Sequence, residues 1–350
     1  MTGRAGSVVS GPVDPVDALR RIAYRLEADR AESYKVRAFR RAAAAVADTD
    51  PDRLADLAAT GRLQRLDGVG ETTARVVAEA LAGEVPAYLV HLEGEARPEL
   101  TGAAAEVRAL LQGDCHSHSD WSDGGSPVVE MAEAARDLGH AYLALTDHSP
   151  RLTVAHGLDA ERLVAQLDLL DRLNEELAPF RVLTGIEVDI LEDGSLDQDE
   201  GLLARLDVVV ASVHSKLKME PAQMTARMVA AIESPHTDIL GHCTGRIIVG
   251  RGRPESRFDA AAVFDACAAT GTAVEINSRP ERRDPPEPLL RHAVEAGCYV
   301  SIDTDAHAPG QLEWLTNGCE QAVAAGVPLE RIVNGWPADR LLGWTAGHAA

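Results

Sequence analysis

The sequence predicts an α/β chain, a closed barrel of parallel strands alternating with helices, preceded by a small all-helical domain. Three observations carry this. From about Leu110 short β-branched or aliphatic runs alternate with helical patterns, seven times over, which implies a parallel sheet and favours a barrel over an open sheet. Six of the 12 histidines fall at or just beyond the C-terminal ends of those runs. Residues 15–92, by contrast, show only helical periodicity.

Residues 1–14, rich in Gly, Ser, Val and Pro, read as a loose tail. The helical domain, residues 15–92, opens with "VDALRRIAYRLEADR", where Leu19, Ile22, Ala23 and Leu26 keep helix spacing, and continues with the Ala-rich "YKVRAFRRAAAAVAD", with Arg37, Arg40 and Arg41 on its polar side. A short helix end, the "LDGVG" turn and a second helix ending at Gly83 and Pro86 follow. A linker rich in Glu, Pro and Ala spans residues 93–108. The barrel, residues 109–350, takes its strands from "LLQGDCHS", "AYLALTDHS", "RVLTGIEVDI", "DVVVASVHS", "DILGHC", "TAVEINS" and "CYVSIDTDAH", with helices such as "PVVEMAEAARDLG" and "AERLVAQLDLLDRLNEEL" between them.

At 350 residues and 45% hydrophobic content the chain has ample core for two domains. No stretch reaches the roughly 20 apolar residues of a membrane span, and the N-terminus lacks a signal-peptide layout, so a cytoplasmic location is expected. Five widely spaced cysteines without a C-x-x-C pair read as reduced thiols. The net charge of −21 opposes nucleic acid over the surface as a whole. That charge is uneven: residues 1–92 hold 13 Lys+Arg and 13 Asp+Glu, leaving the whole acidic excess to the later part.

The histidines carry the chemistry. His116, His118, His148, His214, His242 and His307 sit at strand ends, joined by Asp123, Glu187 and Asp305. In a barrel the C-terminal strand ends converge on one mouth, so nine ligand-type side chains meet in one pocket, enough for more than one ion. Imidazole with carboxylate and no thiolate suits zinc, manganese or iron with open coordination positions. Two or three close cations lower the pKa of a bridging water and stabilise charge on a phosphoryl group in transit, so phosphoester hydrolysis is the natural chemistry. Arg246 and Lys216, each next to a ligand segment, are candidates for holding phosphate oxygens, and Arg251, Arg279, Arg282 and Arg283 extend that patch. The remaining histidines lie on helices or loops and read as ordinary structural or surface residues.

"DCHSHSDWSDG", "ALTDHSPRLTVAHGLD", "GIEVDI", "ASVHSKLKM", "ILGHCTGRIIVGR", "EINSRPERRDPP" and "SIDTDAHAP" resemble, in order and type, the motifs of the PHP (polymerase and histidinol phosphatase) superfamily, most closely the version at the C-terminus of bacterial family X DNA polymerases. The resemblance covers roughly residues 109–340 and implies a distorted (β/α)7 barrel with a trinuclear centre. It implies that His116, His118, Glu187 and Asp305 hold one metal, Asp123, His148 and His307 a second, and Glu187, His214 and His242 a third, with Glu187 bridging as a catalytic ligand. Cys243 departs from the proline usual after that histidine in this branch. It could stiffen the loop differently or bring a thiol near the metals.

"LDGVGETTARVVAEAL" has the Gly68-x-Gly70 turn of a helix-hairpin-helix, whose backbone N–H groups can accept a DNA phosphate without reading bases. With the upstream "SYKVRAFRRAAAAVAD" it resembles the DNA-end-gripping N-terminal domain of the same polymerases. Gly68, Gly70, Arg37, Arg40, Arg41 and Arg75 are the candidate DNA contacts. Only a short linker separates the two domains, leaving no room for a polymerase core. Lys35 is the only lysine before Lys216, so the lysines for Schiff-base lyase chemistry are absent. The expectation is a phosphoesterase with two or three divalent ions (zinc, manganese or iron) that processes DNA ends by 3′–5′ exonuclease, 3′-phosphatase or related phosphodiesterase chemistry. Alternatives are a small-ester phosphatase of the histidinol-phosphatase type and a non-catalytic DNA-end module. The sequence does not set the oligomeric state.

Overall fold

The computed structural model describes residues 13–95 and 99–348; residues 1–12 of the expected tail and 96–98 of the expected linker lie outside the described residues. The chain divides into two units, split between Glu99 and Leu100.

The first unit holds five α-helices among the described residues, α1 (Pro15–Ala28), α2 (Ser33–Ala47), α3 (Pro51–Ala59), α4 (Glu71–Leu81) and α5 (Ala87–Gly94). Asp14, placed in the tail by composition, caps α1: its carboxylate accepts from the N–H groups of Val16 and Asp17. Asp50 does the same for α3. Leu19, Ile22, Phe39, Val76, Val77 and Leu89 form one buried core. Each such side chain contributes about 1.5–3 kcal/mol by leaving water. α3 and α5 were not expected as separate helices.

The second unit opens with α6 (Gly102–Leu110), a helix within the segment that composition reads as linker, with Val107 buried against the barrel. Seven parallel strands follow in ring order: β1 (Gly113–Asp114), β2 (Tyr142–Leu145), β3 (Arg181–Asp189), β4 (Val208–Ser212), β5 (Ile239–Leu240), β6 (Ala273–Asn277) and β7 (Val300–Asp303). A parallel bridge between Ser117 and Ala306 links the first and last segments. The helices α7 (Val128–Asp137), α8 (Ala160–Leu177), α9 (Glu200–Leu203), α10 (Pro221–Ile232), α11 (Ala260–Thr270), α12 (Glu287–Ala296), α13 (Leu315–Ala325) and α14 (Ala338–Thr345) complete the unit.

β1 and β5 are far shorter than their apolar runs. Side chains replace the ladder there: Cys115 N–H donates to Asp303, Ser117 N–H to Thr146, and His242 N–H to Glu275. β3 is divided, pairing with β2 through Arg181–Thr184 and with β4 through Gly185–Asp189. The barrel is accordingly distorted at the level of the strand ends that carry the histidines.

Candidate metal centre

Every strand but β6 delivers expected ligands to the C-terminal mouth, and β6 delivers their supports. His116 and His118 follow β1, with Asp123 in the next turn; His148 follows β2; Glu187 lies in β3; His214 and His242 follow β4 and β5; Asp305 and His307 follow β7. Three groups of these side chains present ligand atoms within 4.8 Å of one another: His118, Asp123, His148 and His307; His116, His118 and Glu187; and His148, Glu187 and His214. The grouping differs from the expected one in placing His118 and His148 between clusters.

Glu187 is the hub. Its Oε2 lies 3.3 Å from His116 Nε2, 3.5 Å from His118 Nε2 and 2.9 Å from His148 Nδ1, while its Oε1 lies 3.2 Å from His214 Nε2 and 2.9 Å from His242 Nε2. His118 Nε2 is also 3.4 Å from Asp305 Oδ1, and Asp123 Oδ1 is 3.3 Å from His307 Nε2 and 3.5 Å from His148 Nε2. Both Glu187 oxygens, both nitrogens of His118 and of His242, His116 Nε2 and His148 Nδ1 are buried without a hydrogen-bond partner.

Such groups cost free energy when left unpaired in the interior, and native structures rarely leave several together. A divalent cation satisfies them. Ligand atoms bound about 2.1 Å from one ion sit roughly 3.4 Å apart in a tetrahedral arrangement, close to the separations around Glu187. The donor set therefore fits divalent metal.

Without a cation the carboxylates and imidazoles of the cluster compensate one another. Burial opposes ionisation of Glu187, but His214, His116 and His148 outweigh it and hold the carboxyl well below its usual range. Burial works against Asp305 too, and Arg279 with His118 reverses it. Burial, His307 and His148 keep His118 neutral by pulling it well down, the form a metal requires. Against its own burial, His214 is pushed up to about 9 by Glu187 and Asp189.

The supports went unassigned in the sequence. Glu275 in β6, fully buried, places Oε1 2.6 Å from His116 Nδ1 and accepts from His242 N–H through Oε2. Asp189 takes His214 Nδ1, and Asn277 links Glu275 to Asp305 at 3.3 and 3.2 Å. Carboxylates behind metal-ligating imidazoles fix ring orientation and raise basicity. A carboxylate inside the apolar run "TAVEINS" was the available signal. Glu275→Gln is expected to weaken metal affinity by about 10–100-fold, measured by competition with a chromogenic chelator, with the melting temperature of the metal-free protein little changed.

Two expected phosphate contacts are displaced. Lys216 points outward, its side chain 63% exposed and 3.8 Å from Glu192. Arg246 donates Nε to the Arg282 carbonyl at 3.0 Å and Nη2 to that of Arg283, with Nη1 3.3 Å from Glu255. Its fork matches two carbonyl oxygens of the neighbouring turn, so it braces that turn instead of entering the cavity. The cations that line the cavity, about 330 Å³, are Arg279 and Arg282, beside Asp123, His148, Glu187, His214, Asp305 and His307. Arg282 Nε is 3.2 Å from Asp305, and its buried Nη1 has no hydrogen-bond partner. Arg251 and Arg283 are not among the residues lining this cavity. Cys243 and Cys115 are buried in apolar clusters, where desolvation pushes both thiols well up, and neither belongs to the three groups of clustered ligand atoms.

In the first unit, Gly68 has φ +82°, and a Cβ there would meet the Arg41 Cβ and carbonyl oxygen at 3.4 Å. The turn thus rests on α2 beside Arg41. Gly70 opens α4, its N–H donating to Thr73 Oγ1 at 2.9 Å. Arg37, Arg41 and Arg75 are exposed, as is Glu71. Arg40 is displaced from the expected set, because it forms a two-pronged pair with the buried Glu27 at 2.9 Å through both nitrogens.

Comparison with known proteins places these units. Residues 114–279 match the PHP domain and residues 13–85 a helix-hairpin-helix domain. The chain is 40% identical over 224 residues to the DNA polymerase/3′-5′ exonuclease PolX of Bacillus subtilis (strain 168), covering 64% of this chain and 39% of that protein. It thus spans about two fifths of the polymerase it matches. It is 28% identical over 233 residues to a protein named probable phosphatase from Thermoanaerobacter sp. (strain X514), covering 63% of this chain and 89% of the relative. Among solved structures, a zinc, L-histidinol and phosphate complex of histidinol phosphate phosphatase from Lactococcus lactis aligns with a TM-score of 0.43 at 17% identity, covering 61% of this chain and 92% of that one.

Proposed function

From a chain that carries a PHP domain together with a helix-hairpin-helix domain, we propose a multinuclear metal-dependent phosphoesterase that acts at DNA ends, by 3′–5′ exonuclease, 3′-phosphatase or related phosphodiesterase chemistry. The observation that carries it is the buried, hydrogen-bond-free set of imidazole and carboxylate atoms around Glu187, open to a cavity edged by two arginines. His116, His118 and Asp305, then Asp123, His148 and His307, then His214 and His242, with Glu187 shared, would hold two or three divalent ions, which would lower the pKa of coordinated water and offset phosphoryl charge.

The chain's own groups do the rest. Glu187 offers one oxygen to each side, fixing the spacing of the sites. Arg282, whose guanidinium edges the cavity, would meet a phosphate oxygen as a charge-assisted donor. Arg279 Nη1, donating to the Asp305 main-chain carbonyl at 2.8 Å and to its Oδ1 at 3.4 Å, keeps the Asp305 carboxylate in place. Glu275 and Asp189 hold His116 and His214 in one orientation.

DNA enters the reading through the hairpin, where Arg41 stands beside the Gly68 turn. The small-ester phosphatase reading has its own support: Arg40 is held by Glu27, and the exposed Glu71 follows the turn directly. The deciding experiment offers manganese-loaded protein end-labelled DNA (intact, 3′-phosphorylated and abasic) beside histidinol phosphate. DNA processing supports the proposal, and turnover of histidinol phosphate alone replaces it with the second reading. Arg41→Ala is expected to weaken DNA binding uniformly across sequences and to reduce the slope of log K against log salt by about one, while sparing histidinol phosphate. An unchanged slope would remove Arg41 from the interface.

A further inference from the structure

The cavity over the ligands is not lined by polar groups alone. Leu152 and Ile247, both half-buried, form part of its wall. They belong to the loops that follow β2 and β5, which stand three places apart in a ring of seven strands, the greatest separation such a ring allows. The two side chains thus reach one cavity from loops that rise on well-separated strands. Further out on the same loops, Val154 is 85% exposed, Ile248 51% and Val249 37%.

Both loops are braced. Arg162 donates to the carbonyls of His156, Gly157 and Trp121, and Leu158 N–H donates to the His148 carbonyl at 2.7 Å. Ile247 exchanges two backbone hydrogen bonds with Arg253, at 2.9 and 2.8 Å, and Ile248 N–H donates to the Glu281 carbonyl at 2.8 Å. Half-buried apolar side chains on ordered loops beside a phosphate-type site fit recognition of an apolar group.

We propose that Leu152 and Ile247 form a slot for the nucleobase of the nucleotide whose phosphate lies against Arg282 and the ligand cluster. This rests on the phosphoesterase reading and names its substrate class. Glycerol phosphate or an amino-alcohol phosphate has no flat apolar group to place between two aliphatic side chains, whereas every nucleotide has one. A volume of about 330 Å³ lies at the small end of ligand pockets, which run roughly 300–1,000 Å³, and admits a single nucleotide unit. Aliphatic walls offer no donors or acceptors to base edges, so the slot senses a base without distinguishing the four.

The test compares manganese-loaded wild-type protein with a Leu152→Ser/Ile247→Ser variant on DNA with a normal 3′-terminal nucleotide and on the same DNA with a baseless terminal residue. Thymidine monophosphate against glycerol phosphate repeats the comparison on monoesters. The wild type is expected to prefer the base-bearing member by on the order of tenfold in kcat/KM, the discrimination a small apolar contact supplies. The variant brings that ratio near one, mainly through KM. A wild-type ratio near one in both pairs, or a variant that keeps the wild-type preference, overturns the slot and leaves the phosphoesterase reading standing. Hydrolysis of none of the four substrates contradicts both.

Discussion

Glu187→Gln lowers kcat on any phosphoester substrate by on the order of 10³-fold, the scale of removing a charged element from a transition-state-stabilising site. The substitution keeps the shape and turns one carboxylate oxygen into an amide nitrogen. That oxygen faces either His116, His118 and His148 or His214 and His242, so one side of the shared ligand is lost whichever way the amide sits. In the metal-free protein the loss of the Glu187 charge from beside His116 and His214 lowers the melting temperature, so metal content and rate are read at a temperature where both proteins are folded. Metal analysis after gel filtration, alongside kcat, checks the pairing: less bound metal and lower rate fall together. Full metal content with a normal rate would remove Glu187 from the bridge.

His116→Ala with His118→Ala abolishes turnover and leaves circular dichroism close to wild type. Both imidazoles are fully buried above strands whose packing rests on other residues, chiefly Leu143, Ala144, Val210 and Ile239. The sharper readout is thermal. A ligand that binds only the folded state stabilises it by about 4 kcal/mol at a thousand times its Kd, which moves the melting temperature of a unit this size by on the order of 10 °C. Added manganese gives the wild type that shift. The double variant, with two imidazoles missing from adjoining clusters, shows little of it, and an equal shift in both proteins would place the metals elsewhere.

Much of the site was legible because its residues obey positional rules. Histidines at the ends of apolar runs stand out one by one, and barrel topology brings them together without further information, as it does for His116, His148 and His242. The partners of long side chains were not legible. Arg246 adjoins a ligand segment in sequence, yet its fork closes on the Arg282 and Arg283 carbonyls, whose positions depend on how the loop after β6 turns back. Lys216 has a positive φ of 54°, and its side chain lies at the surface outside the cavity lining. Arg40 was indistinguishable from Arg37 and Arg41 until the packing of α1 on α2 put Glu27 against it. Glu275 escaped because a single acid in an apolar strand has no spacing pattern to mark it. Residues 102–108 looked like part of a linker from their Ala and Glu content, and only the barrel wall against which Val107 packs makes them a helix with a buried face.

On the proposed function, the nine side chains at the barrel mouth hold divalent ions that make this chain a phosphoesterase. One titration tests it most directly: metal-free protein receives manganese in steps, and bound metal per chain is measured beside the rate of phosphate or nucleotide release from 3′-phosphorylated and intact end-labelled DNA and from histidinol phosphate. No rate is expected without metal, and a rate that rises as two or three ions bind, with the His116→Ala/His118→Ala variant flat throughout. Two or more ions bound at the wild-type site with no release from any of these esters, or equal release from the metal-free protein, would contradict it.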